Sequence, residues 1–218
     1  ISIRAIDEAL ARDRVLLIVS QRDKEVETPR PSDLFEVGTA CNILKMRKNP
    51  DGSVQVLVQA FARVRVREWL DLGDHLEARG EVLADEPGEP ILVKALVREV
   101  KDKFQALLKE GKYLAPEVAQ FILNLEDPSQ LADYVAFHMD FSLEAKQKVL
   151  ETANVAERLR AVLVLLEAEL ALIETQRRIQ QQVKEEIDRN QREYFLREQM
   201  KAIQRELHGE EGEQEVEE

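Results

Sequence analysis

Residues 154–208 read NVAERLRAVLVLLEAELALIETQRRIQQQVKEEIDRNQREYFLREQMKAIQRELH, 55 positions without a proline or a glycine. Asn154 followed three residues later by Glu157 has the form of a capping box, so a helix is expected to open here. At about 1.5 Å per residue that helix would be roughly 80 Å long. A compact chain of 218 residues is only about 45 Å across, so an unbroken helix of this length projects from the body. Its apolar pattern changes along the way. Leu159, Val162, Leu163, Leu166, Leu170 and Ile173 make a wide stripe suited to bundle packing. The stripe thins to Ile179, Val183 and Ile187, where acid-before-base pairs one turn apart (Glu174–Arg178, Glu185–Arg189, Asp188–Arg192, Glu193–Arg197) add about 0.2–0.5 kcal/mol each. Apolar character returns at Tyr194, Phe195, Leu196, Met200, Ile203 and Leu207. The plain reading is a contact within the chain or a dimer seam. The sharper expectation is an inter-domain or inter-subunit docking face, since a projecting helix has no core of its own there.

Upstream of this helix the period changes from two to helical. Ser2 caps a short helix carrying Ile3, Ile6 and Leu10. Val15–Val19 is a continuous apolar run, expected to be a strand buried on both faces. Phe35–Lys48 and Ser53–Val58 flank Asn49-Pro50-Asp51-Gly52, a turn signal that predicts a hairpin. Alternation resumes past Phe61, and His75–Ala84 gives a further strand. From Pro90 the spacing is helical, ending near Gly111. Asp127-Pro128 starts another helix and Ser142 a third. The predicted fold class is α+β: a small antiparallel, barrel-like β-rich lobe over 1–86, a helical subdomain over 87–208 with its long helix at 154–208, and an acidic linker at 209–218.

Composition excludes several classes. The 31 basic and 43 acidic residues leave a net charge of −12, and six acids fall in the last ten positions. Non-specific nucleic-acid binding by counterion release wants the opposite sign, although Arg63, Arg65 and Arg67 on one strand face are noted as a minor candidate. One cysteine, Cys41, makes no internal disulfide, and with three scattered histidines it makes no zinc site. No apolar run approaches the roughly 18 residues of a membrane span, and no basic-then-apolar leader opens the chain, so a cytoplasmic location is expected. The first residue is Ile1, which suggests a piece of something longer.

Catalytic patterns fail in turn. The Gly-Lys pair at Gly111-Lys112 has Ala106 and Tyr113 where a phosphate loop needs glycine and Ser/Thr. No dinucleotide fingerprint, metalloprotease helix or nucleophile elbow is present. Cys41 reads as a small buried hydrophobe, and His138 as a helix-surface or core-edge residue. The chain is read as non-enzymatic, with no cofactor or metal site.

The motif Gln191-Arg192-Glu193-Tyr194-Phe195-Leu196-Arg197-Glu198-Gln199-Met200-Lys201-Ala202-Ile203-Gln204-Arg205-Glu206-Leu207, together with Asp33–Ala40 and Asp51–Val58, resembles the N-terminal domain of ATP-dependent Lon proteases of the bacterial type. The first of these stretches is similar to the family's segment just ahead of the AAA+ ATPase module. Two departures stand out. The family usually opens with a strand ending in Phe-Pro-Gly that this sequence lacks, and Ala60 stands where glycine is common. The resemblance implies a substrate-recognition and assembly module that engages unfolded, damaged or degron-bearing proteins. Its implied partners are the downstream ATPase and protease modules and the other subunits of a homohexamer. ATP with Mg, and a Ser-Lys dyad, are implied only for those downstream modules. Unfolded proteins differ from folded ones mainly in exposed apolar segments, so Met46, Trp69, Leu70 and Leu72 are candidate substrate contacts, the last three in the polar run after the sheet strand. The alternative is a coiled-coil scaffold whose β-lobe binds one native partner or a small molecule.

Overall fold

The computed structural model describes residues 2–71, 75–111 and 114–214. These fall into two compact units, 1–167 and 168–218. The chain opens with helix α1 (Ser2–Ala11), followed by strands β1 (Val15–Ile18), β2 (Val37–Lys48), β3 (Val54–Asp71) and β4 (Leu76–Val82). Helices α2 (Pro90–Lys109), α3 (Pro116–Leu123), α4 (Pro128–His138), α5 (Leu143–Glu151) and α6 (Val155–Gln214) complete it. The α+β architecture foreseen from the sequence is thus present, with the strands first and the helices after.

The four strands form an antiparallel meander in the order β1-β2-β3-β4. Gly52, at φ 82°, turns the β2–β3 hairpin in a conformation open to glycine. The strands read on either side of Phe61 are a single 18-residue strand, β3. Phe61 is an extra residue where the register shifts from Ala40↔Ala62 to Cys41↔Ala60, and Leu44 is extra between Ile43↔Val58 and Lys45↔Leu57. A third shift, between Val66↔Gly80 and Glu68↔Arg79, sets Arg67 outside the ladder. Such bulges increase the local twist. The sheet curls accordingly: Arg12, just ahead of β1, forms an ion pair at 2.8 Å with Glu77 on β4, at the opposite edge. Ala60 needs no positive φ for its part in this; Arg14, at φ 60°, is the non-glycine residue that adopts one among those described.

β1 departs from expectation. It pairs with β2 alone, so it is an edge strand, with Val15 37% and Ile18 48% exposed rather than covered on both faces. Close packing still seals it to β2: a Cβ on Gly38 would stand 2.5 Å from the Ile18 carbonyl oxygen.

The densest core lies among the helices. Leu96, Val100, Phe104 and Leu107 line one side of α2 at helical spacing and meet Ile122, Leu131, Val135, Leu159, Val162 and Leu166, all buried. Three side chains cap these helices as the sequence indicates. Asp127 accepts from the Gln130 amide at 2.9 Å, Ser142 from Ala145 at 3.2 Å, and Asn154 from Ala156 and Glu157 at 3.1 and 3.2 Å. Leu143, in the first turn of α5, is 40% exposed. Helix α3 was not foreseen, because eight residues behind an Ala115 with no capping side chain offer too short a period to read. Helix α6 runs unbroken for 60 residues, past His208 to Gln214. In its later part the described polar contacts join neighbours one turn apart, Gln181 to Glu185 and Lys201 to Glu198, each at 2.9 Å.

Candidate functional site

Among the described residues of the first unit, two buried polar joints tie the sheet to helices α4, α5 and α6. At one, the buried Gln147 of α5 donates to the Val37 carbonyl at 2.9 Å. The other is a network of four charged side chains. Arg158, wholly enclosed near the start of α6, donates through Nε to the Thr152 carbonyl at 2.8 Å and through Nη1 to Ser129 Oγ at 2.7 Å. Its Nη2 reaches Asp85 Oδ1 at 2.6 Å. Ser129 in turn donates to Asp85. Arg63 of β3 bridges Asp85 at 2.6 Å and Asp133 of α4. Each nitrogen of the Arg158 guanidinium thereby finds an acceptor, which is what allows it to be buried.

The carboxylates of this network shift in opposite directions. Burial raises Asp85, but hydrogen bonds from Arg158 and Ser129, with the charges of Arg158 and Arg63, outweigh it and hold the group below its ordinary range. For Asp133 burial prevails over the same two arginines and lifts it. Both acids and both arginines are spent on one another, so the network is a structural clasp. It also withdraws Arg63 from the minor nucleic-acid candidate face: its side chain is 11% exposed and engaged with two acids. Arg67 likewise pairs with Glu81. Two of the three arginines that a nucleic-acid reading needs are thus engaged with acids.

Beside this clasp, Asp85, Pro87, Gly88, Val93, Ser129 and Val155 help line an open cleft of about 290 Å³. Its polar side chains, Asp85, Asp127 and Ser129, are already committed. Cys41 is buried, and that burial pushes its thiol up. No group of metal-ligating residues occurs among the described residues.

The candidate contacts chosen from the sequence are not gathered in one place. Met46 lies on β2 opposite Val56, half-buried. Trp69 and Leu70 belong to β3 rather than to a run after it, opposite Ala78 and Glu77, and both are half-buried. Leu72 lies outside the described residues. Val56 and Trp69 are 13 positions apart on the same strand, about 40 Å along it.

The far residues of α6 are exposed: Tyr194 68%, Phe195 60%, Leu196 50%, Met200 61% and Ile203 56%. They do not form one patch. At 3.6 residues per turn, Tyr194 continues the line of Leu172, Ile179, Val183 and Ile187 within about 80°, whereas Leu196, Met200 and Ile203 lie about 130° round the helix.

An aromatic group on α3 and α4 was missed. The Phe121 ring meets Tyr134 edge-on at 5.2 Å, Tyr134 stacks on His138 at 6.4 Å, and Phe137 meets His138 edge-on at 4.9 Å. Phe137 is 74% exposed and Phe121 49%. Helix α4 already buries Leu131, Ala132, Val135 and Ala136; Tyr134 and Phe137 lie about 130° and 170° round from the middle of that side, and the half-buried His138 lies at its flank, about 90° round. A helical projection of α4 would have shown this, but Phe121 required α3 to be recognised first.

Comparison with known proteins assigns the family. The profile described as "ATP-dependent protease La (LON) substrate-binding domain" matches residues 1–168. The chain belongs to the Lon substrate-binding domain family. It is 99% identical over its whole length to Lon protease 2 of Thermus thermophilus, of which it spans 27%. It is 39% identical over 206 residues to the Lon protease of Escherichia coli K12, covering 94% of this chain and 26% of that one. The solved N-terminal domain of a Mycobacterium avium complex Lon protease superimposes with a TM-score of 0.61 at 26% identity, over 75% of this chain and 84% of that one. The chain thus spans about a quarter of the length of the Lon proteases it matches. Among the described residues, no helix is long and apolar enough to cross a membrane.

Proposed function

We propose that this chain is the non-catalytic recognition and assembly part of an ATP-dependent Lon protease, one that engages unfolded or damaged proteins through exposed apolar surface. The match of residues 1–168 to the Lon substrate-binding profile carries this reading. It is supported by apolar side chains left outside after the helical core is closed. An unfolded client displays apolar segments that its native form hides, so a surface of this kind separates the two without reading a sequence. The engaged chain then passes to the ATPase and Ser-Lys protease modules of the parent, where ATP and Mg act.

Assembly is assigned to the distal part of α6. Tyr194 on one face, and Leu196, Met200 and Ile203 on another, suit docking against a following domain and a neighbouring subunit of a homohexamer. Met46, Trp69 and Leu70 remain secondary client contacts on the β-lobe. Each contact is weak, and avidity over a ring of subunits supplies retention.

The test is binding of this chain to one protein in two forms, native α-lactalbumin and its reduced, carboxymethylated form, by fluorescence anisotropy. Preference for the unfolded form is expected. Equal binding to both, or to neither, refutes the proposal.

A further inference from the structure

We propose that the outer side of α3 and α4, built from Phe121, Tyr134, Phe137 and His138, is a docking site for short extended apolar segments of a polypeptide. This inference rests on the reading of the domain as a binder of polypeptide substrates and places that activity on particular residues.

The argument begins with what the fold does not need. Helix α4 closes its core through Leu131, Ala132, Val135 and Ala136 on one side. Taking Leu131 as the reference, Phe137 lies about 170° from the middle of that buried side. Phe137 therefore contributes little to packing of the unit, and a Phe left 74% exposed forgoes the burial that usually holds such a side chain.

Size selects the occupant. Phe121, Tyr134 and Phe137 are 49%, 38% and 74% exposed, which at about 200 Å² per aromatic side chain leaves roughly 300 Å² of ring surface. A stable interface between two copies of the chain needs about 800 Å² on each side. The surface is too small for that and suits a few residues of extended chain.

Spacing agrees. Successive rings stand 5.2, 6.4 and 4.9 Å apart. An extended chain presents every second side chain on one side at about 6.6 Å intervals. A segment with Phe, Leu or another bulky apolar residue at alternate positions can seat consecutive side chains against consecutive rings. Ring faces and edges accept many apolar shapes, so the preference is for this pattern and not for one sequence.

The experiment uses a fluorescein-labelled nonapeptide with Phe or Leu at alternate positions, its counterpart with Ser at those positions, and reduced, carboxymethylated α-lactalbumin. Wild-type chain is compared with the Phe121→Ser/Phe137→Ser variant and with Leu57→Ser/Phe61→Ser on the sheet, after circular dichroism and thermal melting have confirmed folding. The ladder variant is expected to bind the apolar peptide about tenfold more weakly or worse, and the sheet variant to bind as wild type does. Wild-type-like affinity in the folded ladder variant, while the chain still prefers unfolded over native protein, overturns the site and leaves the general function standing. A wild-type chain that binds neither peptide nor unfolded protein overturns both. A benzophenone-bearing peptide on unaltered chain gives a readout independent of any variant: crosslinks within 117–143 support the site, and crosslinks confined to 37–71 overturn it. A concentration-dependent dimer by sedimentation that the ladder variant abolishes also overturns it, since the rings would then serve a second copy.

Discussion

Arg158 Nη2 and Asp85 Oδ1 meet at 2.6 Å, joining the base of the longest helix to the segment that leaves the sheet. The arginine is wholly enclosed, and its other donors reach Ser129 and the carbonyls of Thr152 and Ala153. Removing it leaves Asp85 with one of its two cations, Arg63, also at 2.6 Å. Arg158→Met is expected to lower the stability of the chain by about 3 kcal/mol in chemical denaturation. Arg158→Lys should recover only a small part of this, because one ammonium cannot reach acceptors placed for a planar fork.

The opposite shifts of Asp85 and Asp133 give the clasp a pH signature. Asp85 titrates below its ordinary 3.8 in the folded chain. Its contribution is present above 3.8 and is lost as pH falls through the depressed value. Asp133 titrates above 3.8, so its contribution favours the fold below that value and is lost as pH rises through the raised one. Denaturation midpoints measured against pH should show a flatter acid limb for Asp85→Asn than for wild type. Asp133→Asn should remove the loss of stability that wild type undergoes on rising above 3.8.

Much of the fold was legible because local rules and tertiary packing agree. Asp127-Pro128, Ser142 and Asn154 announce helix starts through the chemistry of unsatisfied amides, and Asn49-Pro50-Asp51-Gly52 announces its hairpin. Where the sequence reading went astray, long-range contacts decided. Arg63 looks like any alternating strand residue until Asp85 and Asp133, 22 and 70 positions away, close on it. Val15–Ile18 looks like a fully buried strand because edge position depends on pairing and not on composition. The proposed docking surface was the least legible part. Trp69, Leu70 and Leu72 drew attention as a run expected after the strand, whereas Phe121 and Phe137 are brought to one aromatic group by a turn between two helices, one of them too short to recognise.

Arg14 adopts φ 60° at the link between α1 and β1, where its amide donates to the Ala9 carbonyl at 2.8 Å. This is a left-handed helix cap, a place that favours glycine. Arg14→Gly is expected to stabilise the chain by up to about 1 kcal/mol, read as a higher denaturation midpoint.

Gly38 predicts the reverse. Its added Cβ would meet the Ile18 carbonyl oxygen at 2.5 Å and the Val19 side chain at 2.7 Å. Since the oxygen belongs to backbone, β1 must move away from β2. Gly38→Ala should cost about 1–3 kcal/mol and speed amide exchange in 15–18 before the rest of the sheet.

Leu196, Met200 and Ile203 are each at least half exposed. Replacing all three by Gln should leave the melting temperature of this chain within about 2 °C of wild type, because surface changes of this kind are small. In the full-length protease the same variant should shift sedimentation toward species smaller than the proposed homohexamer. An unchanged hexamer would assign these residues no role in docking.

The most direct measurement of how this domain engages its clients is a titration of isotope-labelled chain with reduced, carboxymethylated α-lactalbumin, following amide chemical shifts residue by residue. The account predicts perturbations concentrated in 117–124 and 130–143, absent when native α-lactalbumin is added. Perturbations confined to the sheet, or the same pattern with native protein, would contradict it.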